Sequence, residues 1–408
     1  MLDALLKRTI RVGDLQVRLP NGRVGTYGDG TGTKVVVHLS ARGMRHIVAN
    51  PPVGVGEAYM NGDLELKTGS IWDLLELSGR NKGGDGPRSL VKQARIALER
   101  RLGQWNHRSN SRRNVHHHYD LSNDLYRRFL DRDMQYSCAY FSRPDMTLEE
   151  AQEAKKLHIA TKLRLEPGMK VLDIGCGWGG LGLYLGANFG VEVLGVTLSQ
   201  EQLAVAQRRA KEMGLEDRVR FSLTDFRDVA GPFDRIVSVG MFEHVGAPLL
   251  LAYFKDVKRL LTEDGVALIH SIGRRTPPGT TNRWIRKYIF PGGYIPALSE
   301  TLAALEQTGL WATDIEILRL HYAETIRHWR LRFAAEREEI ARLYDERFCR
   351  MWECYLAFSQ YGFVYGDNFN FQLQLTRKVR TLPLTRDYML DDERSWAAAA
   401  RPQIQAAG

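Results

Sequence analysis

From about residue 170 onward, short apolar runs alternate with stretches in which apolar residues recur every three to four positions. Apolar runs bounded by turn residues predict buried strands, and the longer spacing predicts helices between them. The predicted strands are VLDIG at 171–175, VEVLGVT at 191–197, RVRFSLTD at 218–225, FDRIVSVG at 233–240 and GVALIHSIG at 265–273. Strands that alternate with helices in this way favour a doubly wound, mostly parallel α/β sheet of the Rossmann type.

The first ninety residues follow a different pattern. The alternating segments LQVRLP at 15–20 and TKVVVHLS at 33–40 predict half-buried strands, and IWDLLELSG at 71–79 predicts a helix. These elements are typical of a small α+β domain. We therefore expect an N-terminal α+β domain over 1–95, a basic linker over 96–114, a larger α/β domain over 115–390 and a C-terminal tail over 391–408.

Length and composition narrow the class of protein. The chain has 408 residues and an apolar fraction of 44%, which suits a globular protein with two domains. No apolar run approaches the ~18 residues that a membrane-spanning helix needs, and the N-terminus is too short and too charged for a signal peptide. The four cysteines are too sparse for a disulfide scaffold and lack a C-x-x-C metal spacing. We therefore expect a cytoplasmic protein.

The charge balance indicates a polyanionic partner. The net charge is +9, with 57 Lys and Arg residues, which suits either nucleic acid or an anionic lipid surface. The most basic stretch, 93–113, includes Trp105 and is equally compatible with a surface-binding segment and a solvated helix and linker. Three consecutive histidines at 116–118 cannot all face one ion on regular structure, so we expect no metal site there.

The turn after the first strand of the α/β domain carries the clearest chemical signal. In VLDIGCGWGG at 171–180, Asp173 is followed by Gly175, Gly177 and Gly179. The dinucleotide fingerprint G-x-G-x-x-G has a wider spacing, which seats a pyrophosphate on the helix N-terminus. Closer glycines let a ligand without phosphate approach the backbone, and a carboxylate accepts from an ammonium group. The pattern favours S-adenosylmethionine, with a glycine turn that binds no ligand as the alternative.

The ends of the other strands add candidate contacts, because ligands collect at the carboxyl ends of parallel strands. No acidic residue ends the second strand, so we expect Thr197 and Gln202 to bind the ribose hydroxyls. We expect Asp225, after the third strand, to bind the adenine amino group. Glu243 follows the fourth strand and His270 ends the fifth, so both are expected to face the same crevice.

An ordered series of further motifs carries a family resemblance. The motifs are HHHYDLSNDLYRRFLD (116–131), MQYSCAYF (134–141), LDIGCGWGG (172–180), GVTLSQEQ (195–202), MFEHVG (241–246), HSIG (270–273), RWIRKYIFPGGYIP (283–296) and HYAETIRHW (321–329). From about residue 110 to 375 the chain resembles the cyclopropane-fatty-acyl-phospholipid synthases and the related mycolic-acid cyclopropane synthases. EAYMNGDLEL at 57–66 extends the likeness to the bacterial branch that acts on phospholipids.

The resemblance implies an S-adenosylmethionine-dependent methyltransferase domain that transfers a methylene to the cis double bond of an unsaturated phospholipid acyl chain. In the family, the double bond attacks the methyl group, and the resulting carbocation loses a proton to bound bicarbonate and closes to a ring. The implied ligands of the anion are Cys138, Glu243, His270, Ile272 and Tyr322, with Cys138 and Ile272 acting through their backbone. The expected cofactor-binding residues are Tyr136, Ser137, Asp173, Gly175, Gly177, Gly179, Thr197, Leu198, Gln202, Asp225 and Phe226.

The resemblance also implies a homodimer that works at the inner face of an anionic membrane, with an N-terminal domain similar to a lipid-carrier module and no nucleic-acid partner. The segment 283–296 suits this setting. Its basic residues would meet lipid phosphates and its apolar residues would present a surface to the acyl chain; a plain amphipathic helix packed on the sheet is the alternative. The residues concerned are Arg283, Arg286, Lys287, Trp284, Ile285, Ile289 and Phe290.

Other functions remain open on the same sequence. The same scaffold can yield a methyl-branched or methyl-alkene fatty acid, and related sequences also methylate amines. A lipid-carrier protein with a vestigial cofactor fold belongs to a different class. A nucleic-acid methyltransferase would explain the basic charge, but no N/D-P-P-Y-like motif follows the fourth strand.

Overall fold

The computed structural model describes residues 2–83 and 122–404. The basic stretch 93–113, the linker 96–114 and the histidines at 116–118 lie outside the described residues, so the predictions made for them stay predictions. The described residues form two compact units. The first holds 2–83, 280–291 and 323–368, and the second holds 122–279, 292–322 and 369–404. Two segments that we assigned to the larger domain thus cluster with the N-terminal residues.

The described residues form helices and strands, each numbered in chain order. The helices are α1 Leu2–Thr9, α2 Ala41–Ala49, α3 Pro51–Met60, α4 Ile71–Arg80, α5 Asn123–Phe129, α6 Leu148–Leu163, α7 Gly180–Phe189, α8 Gln200–Glu212, α9 Leu250–Leu260, α10 Arg283–Tyr288, α11 Leu298–Glu306, α12 His321–Ala335, α13 Arg337–Leu343, α14 Glu346–Val364 and α15 Asp387–Ile404. The strands are β1 Asp14–Arg18, β2 Val24–Tyr27, β3 Lys34–Leu39, β4 Leu64–Thr68, β5 Lys170–Ile174, β6 Glu192–Thr197, β7 Val219–Leu223, β8 Phe233–Val239, β9 Leu261–Arg274, β10 Trp311–Leu318 and β11 Asn368–Thr376.

The first unit contains a four-stranded sheet in the order β2-β1-β3-β4. Strand β1 pairs antiparallel with β2 and parallel with β3, and β3 pairs antiparallel with β4. The alternation along β1 and β3 buries Leu15, Val17, Val35 and Val37 in one apolar core. Because side chains alternate between the two faces of a strand, the intervening Gln16 and Val36 lie on the other face, where they are half-buried.

The four apolar residues singled out in segment 283–296 differ in burial. Trp284 and Ile289 are each only 1% exposed, whereas Ile285 and Phe290 are half-buried, so the place of this segment at the mouth of an acyl-chain tunnel stays a prediction. Trp284 lies so close to Gly56 of α3 that a Cβ there would come within 2.5 Å of the indole nitrogen. Lys287 Nζ and Tyr288 OH both donate to a carboxylate oxygen of Glu57 at 2.6 Å. The helix therefore packs on α3, through Trp284 and the two hydrogen bonds to Glu57.

The second unit contains a seven-stranded sheet in the order β10-β11-β9-β8-β5-β6-β7. The pairs β5–β6, β6–β7, β5–β8 and β8–β9 are parallel, and β10 pairs antiparallel with β11. The chain moves outward from β5 to β7 and then returns to the other side of β5 at β8. This reversal between β5 and β8 is the switch point at which doubly wound sheets bind their ligands. The predicted fold class is confirmed.

Strands β10 and β11 were not among the predicted strands. Asn368–Thr376 places an amide at alternate positions, and Asn370, Gln372 and Gln374 are each 1% exposed. Phe371, Leu373 and Leu375 alternate with them and are fully buried too, so both faces of β11 are interior and the strand has no continuous apolar run like those of β5 to β9. No helix among residues 2–83 and 122–404 carries an apolar stretch long enough to cross a bilayer.

Candidate active site

The glycine turn joins β5 to α7 and bends the backbone through conformations that suit glycine. Gly175, Gly177 and Gly179 have φ values of +81°, +54° and +82°. Side chains with a Cβ adopt this left-handed region at a cost, so the three glycines are a local requirement of the turn. The amides of Gly175 and Cys176 donate to the Val196 carbonyl at 2.9 and 3.1 Å, which fixes the turn to the end of β6.

The three glycines have different surroundings. A Cβ at Gly177 would meet nothing within 4 Å, and this residue lines a pocket of about 220 Å³ at the carboxyl ends of the strands. A Cβ at Gly179 would come within 2.7 Å of Phe221 and 2.9 Å of Ala206. Gly177 therefore leaves room for a ligand, whereas Gly179 leaves room for the packing of the protein itself.

Asp173 supplies an acceptor without a partner. Its side chain is 2% exposed, and its Oδ2 atom has no hydrogen-bond partner in the described part of the chain. Burial raises the pKa of this carboxyl to about 7, while the positive charge of Lys155 acts in the opposite direction. A buried carboxylate oxygen with no partner is costly unless a ligand satisfies it. The ammonium of S-adenosylmethionine fits this position.

Most of the residues that we predicted for cofactor binding line the same pocket. They are Tyr136, Ser137, Asp173, Gly175, Gly177, Thr197, Leu198, Gln202, Asp225 and Phe226. Gly179 is the exception, since it does not line the pocket and packs against Phe221 and Ala206. Thr197 Oγ1 donates to Gln202 Oε1 at 3.2 Å, so the two predicted ribose ligands already form one hydrogen-bonded pair.

The adenine contact that we predicted at Asp225 is shared with a residue that we did not predict. Arg227 Nε donates to Asp225 Oδ1 at 2.8 Å, its Nη2 pairs with Oδ2, and its amide donates to Oδ1 at 3.1 Å. Arg227 also lines the pocket. Its position two residues after Asp225, at the end of a strand, was the available signal. Asp225 therefore lies at the pocket as one half of an ion pair.

Further lining residues were missed by the sequence reasoning. They include Met134, Gln135, Trp178, Met241, His244 and Tyr253. His244 is the most informative of them, because burial lowers its pKa to about 4 and keeps the imidazole neutral. MFEHVG places Glu243 and His244 side by side, and only the tertiary structure shows that the histidine faces the pocket.

Glu243 and Ile272, two of the anion ligands that the resemblance implied, are hydrogen-bonded to each other. Glu243 Oε1 accepts the Ile272 backbone N–H at 2.6 Å, and Oε2 is buried with no hydrogen-bond partner among the described residues. Burial raises the pKa of Glu243 to about 7, and the hydrogen bond from Ile272 acts against that rise. Oε2 is therefore an unused hydrogen-bond acceptor.

His270 is held by the sheet. Asn370 Nδ2 lies 3.1 Å from Nε2 of the ring, and Gln372 Nε2 lies 3.2 Å from Nδ1. The amide oxygens of Asn370 and Gln372 are buried without partners, and a half-turn of one amide would let it accept the single N–H of the neutral ring. Burial lowers the pKa of His270 to about 3, so the ring is neutral. Both ring nitrogens are thus occupied by amides of β11.

Neither Glu243 nor His270 is among the residues that line this pocket, and the expectation that both face one crevice stays a prediction. His270 points to the side of the sheet where Asn370 and Gln372 lie, and Glu243 turns to the Ile272 amide. The two remaining ligands that the resemblance implied come from other segments.

Those two ligands are Cys138 and Tyr322. Cys138 is fully buried in the segment between α5 and α6, and its thiol lies 3.3 Å from the Ala139 carbonyl. Tyr322 is the second residue of α12. The neighbouring His321 accepts the Phe141 amide at 3.0 Å and stacks on Tyr140 with ring centroids 5.1 Å apart. The beginning of α12 is therefore tied to the segment that carries Cys138.

No group of three or more metal-ligating side chains occurs among the residues that the structure describes.

Comparison with known proteins now adds to this geometry. Residues 106–373 match the family model described as mycolic acid cyclopropane synthetase. The chain belongs to this family. Residues 1–84 match a second family model, described as a domain of unknown function. As a member of the cyclopropane synthetase family, the protein is an S-adenosylmethionine-dependent methyltransferase, which confirms the predicted class of enzyme.

Two curated relatives illustrate the range of the family. The cyclopropane-fatty-acyl-phospholipid synthase of Escherichia coli is 42% identical over 316 residues, which cover 76% of this chain and 80% of that protein. The tuberculostearic acid methyltransferase UfaA1 of Mycobacterium tuberculosis is 37% identical over 390 residues, which cover 92% of this chain and 91% of that protein. The family therefore includes relatives named for different products.

A solved structure supports the fold and the cofactor. The mycolic acid cyclopropane synthase CmaA1 in complex with SAH and CTAB is 35% identical, with a TM-score of 0.62, and the match covers 65% of this chain and 97% of that one. SAH is the demethylated form of S-adenosylmethionine. The structural likeness thus extends over nearly the whole of that enzyme.

Proposed function

We propose that this cyclopropane synthetase family member is a cyclopropane-fatty-acyl-phospholipid synthase. It transfers a methylene from S-adenosylmethionine to the cis double bond of an unsaturated phospholipid acyl chain. The observation that carries the proposal is a pair of buried carboxylates with orphaned oxygens, Asp173 in the pocket and Glu243 outside it. One is suited to an ammonium group and the other to the acidic O–H of an anion.

The residues of the pocket have distinct roles in this proposal. When bound, S-adenosylmethionine supplies an electrophilic methyl group on its sulfonium. Asp173 receives the ammonium of the cofactor, and the Thr197–Gln202 pair receives the ribose hydroxyls. Asp225, oriented by Arg227, receives the adenine amino group. Water has little access to these groups, because Asp173, Thr197 and Asp225 are at most 7% exposed.

Proton removal is assigned to a bound bicarbonate, which would act as the base. Glu243 would accept its O–H through Oε2 while Oε1 keeps the Ile272 amide in place. His270 would donate to the anion after exchanging one of its two amide partners, Asn370 or Gln372. Tyr322 and the Cys138 backbone complete the proposed shell. A preorganised set of hydrogen bonds of this kind replaces a side-chain base.

The setting of the reaction is part of the proposal. We assign the enzyme to the inner face of an anionic membrane, with which it associates peripherally, on the basis of the net charge of +9 and the kind of substrate. The homodimer is proposed from the family resemblance alone. In this setting Arg283, which is exposed, and Arg286, which is half-buried, would contact lipid phosphates from α10, and Lys287 pairs with Glu57. No nucleic-acid partner is proposed.

The test uses purified full-length protein with S-adenosylmethionine and vesicles of anionic, cis-unsaturated phospholipid. Mass spectrometry of the extracted acyl chains should show a gain of one CH₂, and the product should no longer react with olefin reagents. The Glu243→Gln variant provides the matched control. Binding of S-adenosylhomocysteine by wild-type protein without any acyl product would contradict the proposal and favour a carrier protein.

A second candidate product has a specific observation in its favour, namely the match to the tuberculostearic acid methyltransferase over 92% of this chain. On this alternative, the same scaffold yields a methyl-branched or methyl-alkene chain. A methyl branch adds one CH₂ and two hydrogens and requires a reductant, whereas a methyl-alkene adds one CH₂ and still reacts with olefin reagents. The same mass spectra therefore distinguish all three products.

A further inference from the structure

Helix α6 turns two long polar side chains inward, toward the segment that forms one wall of the cofactor pocket. Lys155 is 0% exposed, and its Nζ donates to Ser137 Oγ at 2.9 Å and to Gln135 Oε1. One turn earlier, Gln152 Nε2 donates to the carbonyls of Ser137 and Gln135 at 3.0 and 3.3 Å. Both Gln135 and Ser137 line the pocket. The wall is therefore held from behind by α6.

The same wall contains a residue in an unfavourable backbone conformation. Met134 has a φ of +56°, which is uncommon for a residue with a side chain. The carboxylate of Asp131 accepts the amides of Asp133 and Gln135 at 3.0 and 2.9 Å, on either side of Met134. Such a conformation persists only where its surroundings determine it. The hydrogen bonds from Asp131, Gln152 and Lys155 are these surroundings.

Lys155 is also the positive charge that acts on the orphaned carboxylate of Asp173. The other titratable groups that interact with Lys155 are Asp131, Asp133, Cys138, Lys156 and His270. Burial lowers the pKa of Lys155 to about 8, so the ammonium form predominates at neutral pH. His270 is neutral and Lys156 is paired with Asp133 and Glu153 at 2.8 and 2.6 Å.

We propose that Lys155 is a positioning residue for S-adenosylmethionine. It holds Gln135 and Ser137 in the wall of the pocket, and its positive charge favours the carboxylate form of Asp173, which receives the cofactor's ammonium. The inference rests on the proposed binding of the cofactor at Asp173. It assigns a role to a residue outside the pocket lining and outside the anion site.

The experiment measures the affinity of the ligand-free protein for S-adenosylhomocysteine by calorimetry between pH 6 and pH 8.5. Wild-type affinity should decline on the acid side as Asp173 takes up a proton. We call this decline the acid limb of the curve of affinity against pH. An opposite charge nearby lowers a carboxyl pKa by about 1–3 units, so Lys155→Met should shift the acid limb to higher pH by about one unit or more. At pH 7 the variant should bind roughly tenfold more weakly.

Lys156→Met is the matched control, because Lys156 is the adjacent buried lysine but contacts neither Gln135 nor Ser137. Its acid limb should coincide with that of wild type. An acid limb that does not move in Lys155→Met, or one that moves equally in Lys156→Met, would overturn the inference. Wild-type protein that binds no S-adenosylhomocysteine at any pH would instead refute the proposed function.

Hydrogen exchange without ligand gives an independent readout. The amides of residues 134–138 should exchange faster in Lys155→Met than in wild type or Lys156→Met, because two hydrogen bonds to this wall are lost. If Lys155→Met does not fold, Lys155→Gln takes its place, since it keeps a hydrogen-bonding head and removes the charge. Unchanged exchange and an unmoved acid limb in the folded variant would contradict the proposal.

Discussion

Substitution of single glycines in the turn at 175–179 tests whether one glycine makes room for a ligand and another makes room for packing within the protein. Gly177→Ala and Gly179→Ala introduce the same methyl group, two residues apart and at similar positive φ values of +54° and +82°. Each substitution carries the cost of a left-handed conformation, about 1–2 kcal/mol. Their surroundings differ, so their effects should differ too.

The magnitudes follow from the space around each Cβ. At Gly179 the new methyl would lie 2.7 Å from Phe221 and 2.9 Å from Ala206, so these neighbours must move. Overpacking of this kind costs about 1–3 kcal/mol, which brings the expected loss of stability to about 2–5 kcal/mol. At Gly177 no atom lies within 4 Å, so the loss should stay near 1–2 kcal/mol.

The assay pairs thermal unfolding with calorimetric binding of S-adenosylhomocysteine. Gly177→Ala places its methyl in the pocket and should weaken binding by about tenfold or more, which corresponds to about 1.4 kcal/mol. Gly179→Ala should bind with nearly wild-type affinity while its unfolding temperature falls further. The reverse pattern, with binding lost at Gly179 and stability lost at Gly177, would refute the division of the turn into a ligand side and a packing side.

Three further predictions follow from the buried groups. Glu243→Gln should slow turnover by about 10²–10³-fold without changing affinity for S-adenosylhomocysteine, as steady-state kinetics and calorimetry will show; near-normal turnover would exclude Glu243 from the anion site. Burial raises the pKa values of Asp173 and Glu243 to about 7 from 3.8 and 4.5, so the folded state retains protons that the unfolded state releases. The stability that these two carboxyl groups contribute is therefore fully present below about pH 4 and is lost as pH rises to about 7. Over this window the unfolding temperature of Asp173→Asn should fall less than that of wild type, and an equal fall would contradict the assignment. Gly56→Ala should destabilise the first unit by about 1–3 kcal/mol through overlap with Trp284, whereas Gly83→Ala, where a Cβ meets nothing within 4 Å, serves as the neutral control in the same unfolding assay.

The parts of the fold that the sequence predicted are those whose signal is local. The strands that became β5 to β9 are apolar runs between turn residues, and burial on both faces of a parallel sheet produces such runs. Strand β11 escaped prediction because Asn370, Gln372 and Gln374 occupy buried positions. Their partners, a ring of β9 and a carbonyl of α6, lie about a hundred or more residues away along the chain.

The residues of the candidate site also divide into those with a local sequence signal and those placed by long-range contacts. Asp173 and the glycines were recognised because one turn contains them all, whereas the placement of His244 at the pocket required the positions of neighbouring strands. Lys155 escaped notice because α6 carries charged residues around its circumference, so no apolar face predicts which of them turns inward. Its acceptors, Gln135 and Ser137, are 20 and 18 residues distant.

By itself, the sequence determined the parallel sheet, the glycine turn, the cofactor and the family, because each depends on residues close together or on motifs in a set order. Only the tertiary structure decided that Trp284 is buried, that β11 engages both nitrogens of His270, and that a lysine of α6 lies behind the pocket. Each of these findings concerns whether a side chain is buried or exposed. They depend on which distant polar or apolar groups the folded chain brings into contact, and hydrogen bonding then allows amide, imidazole and ammonium groups to remain in the interior.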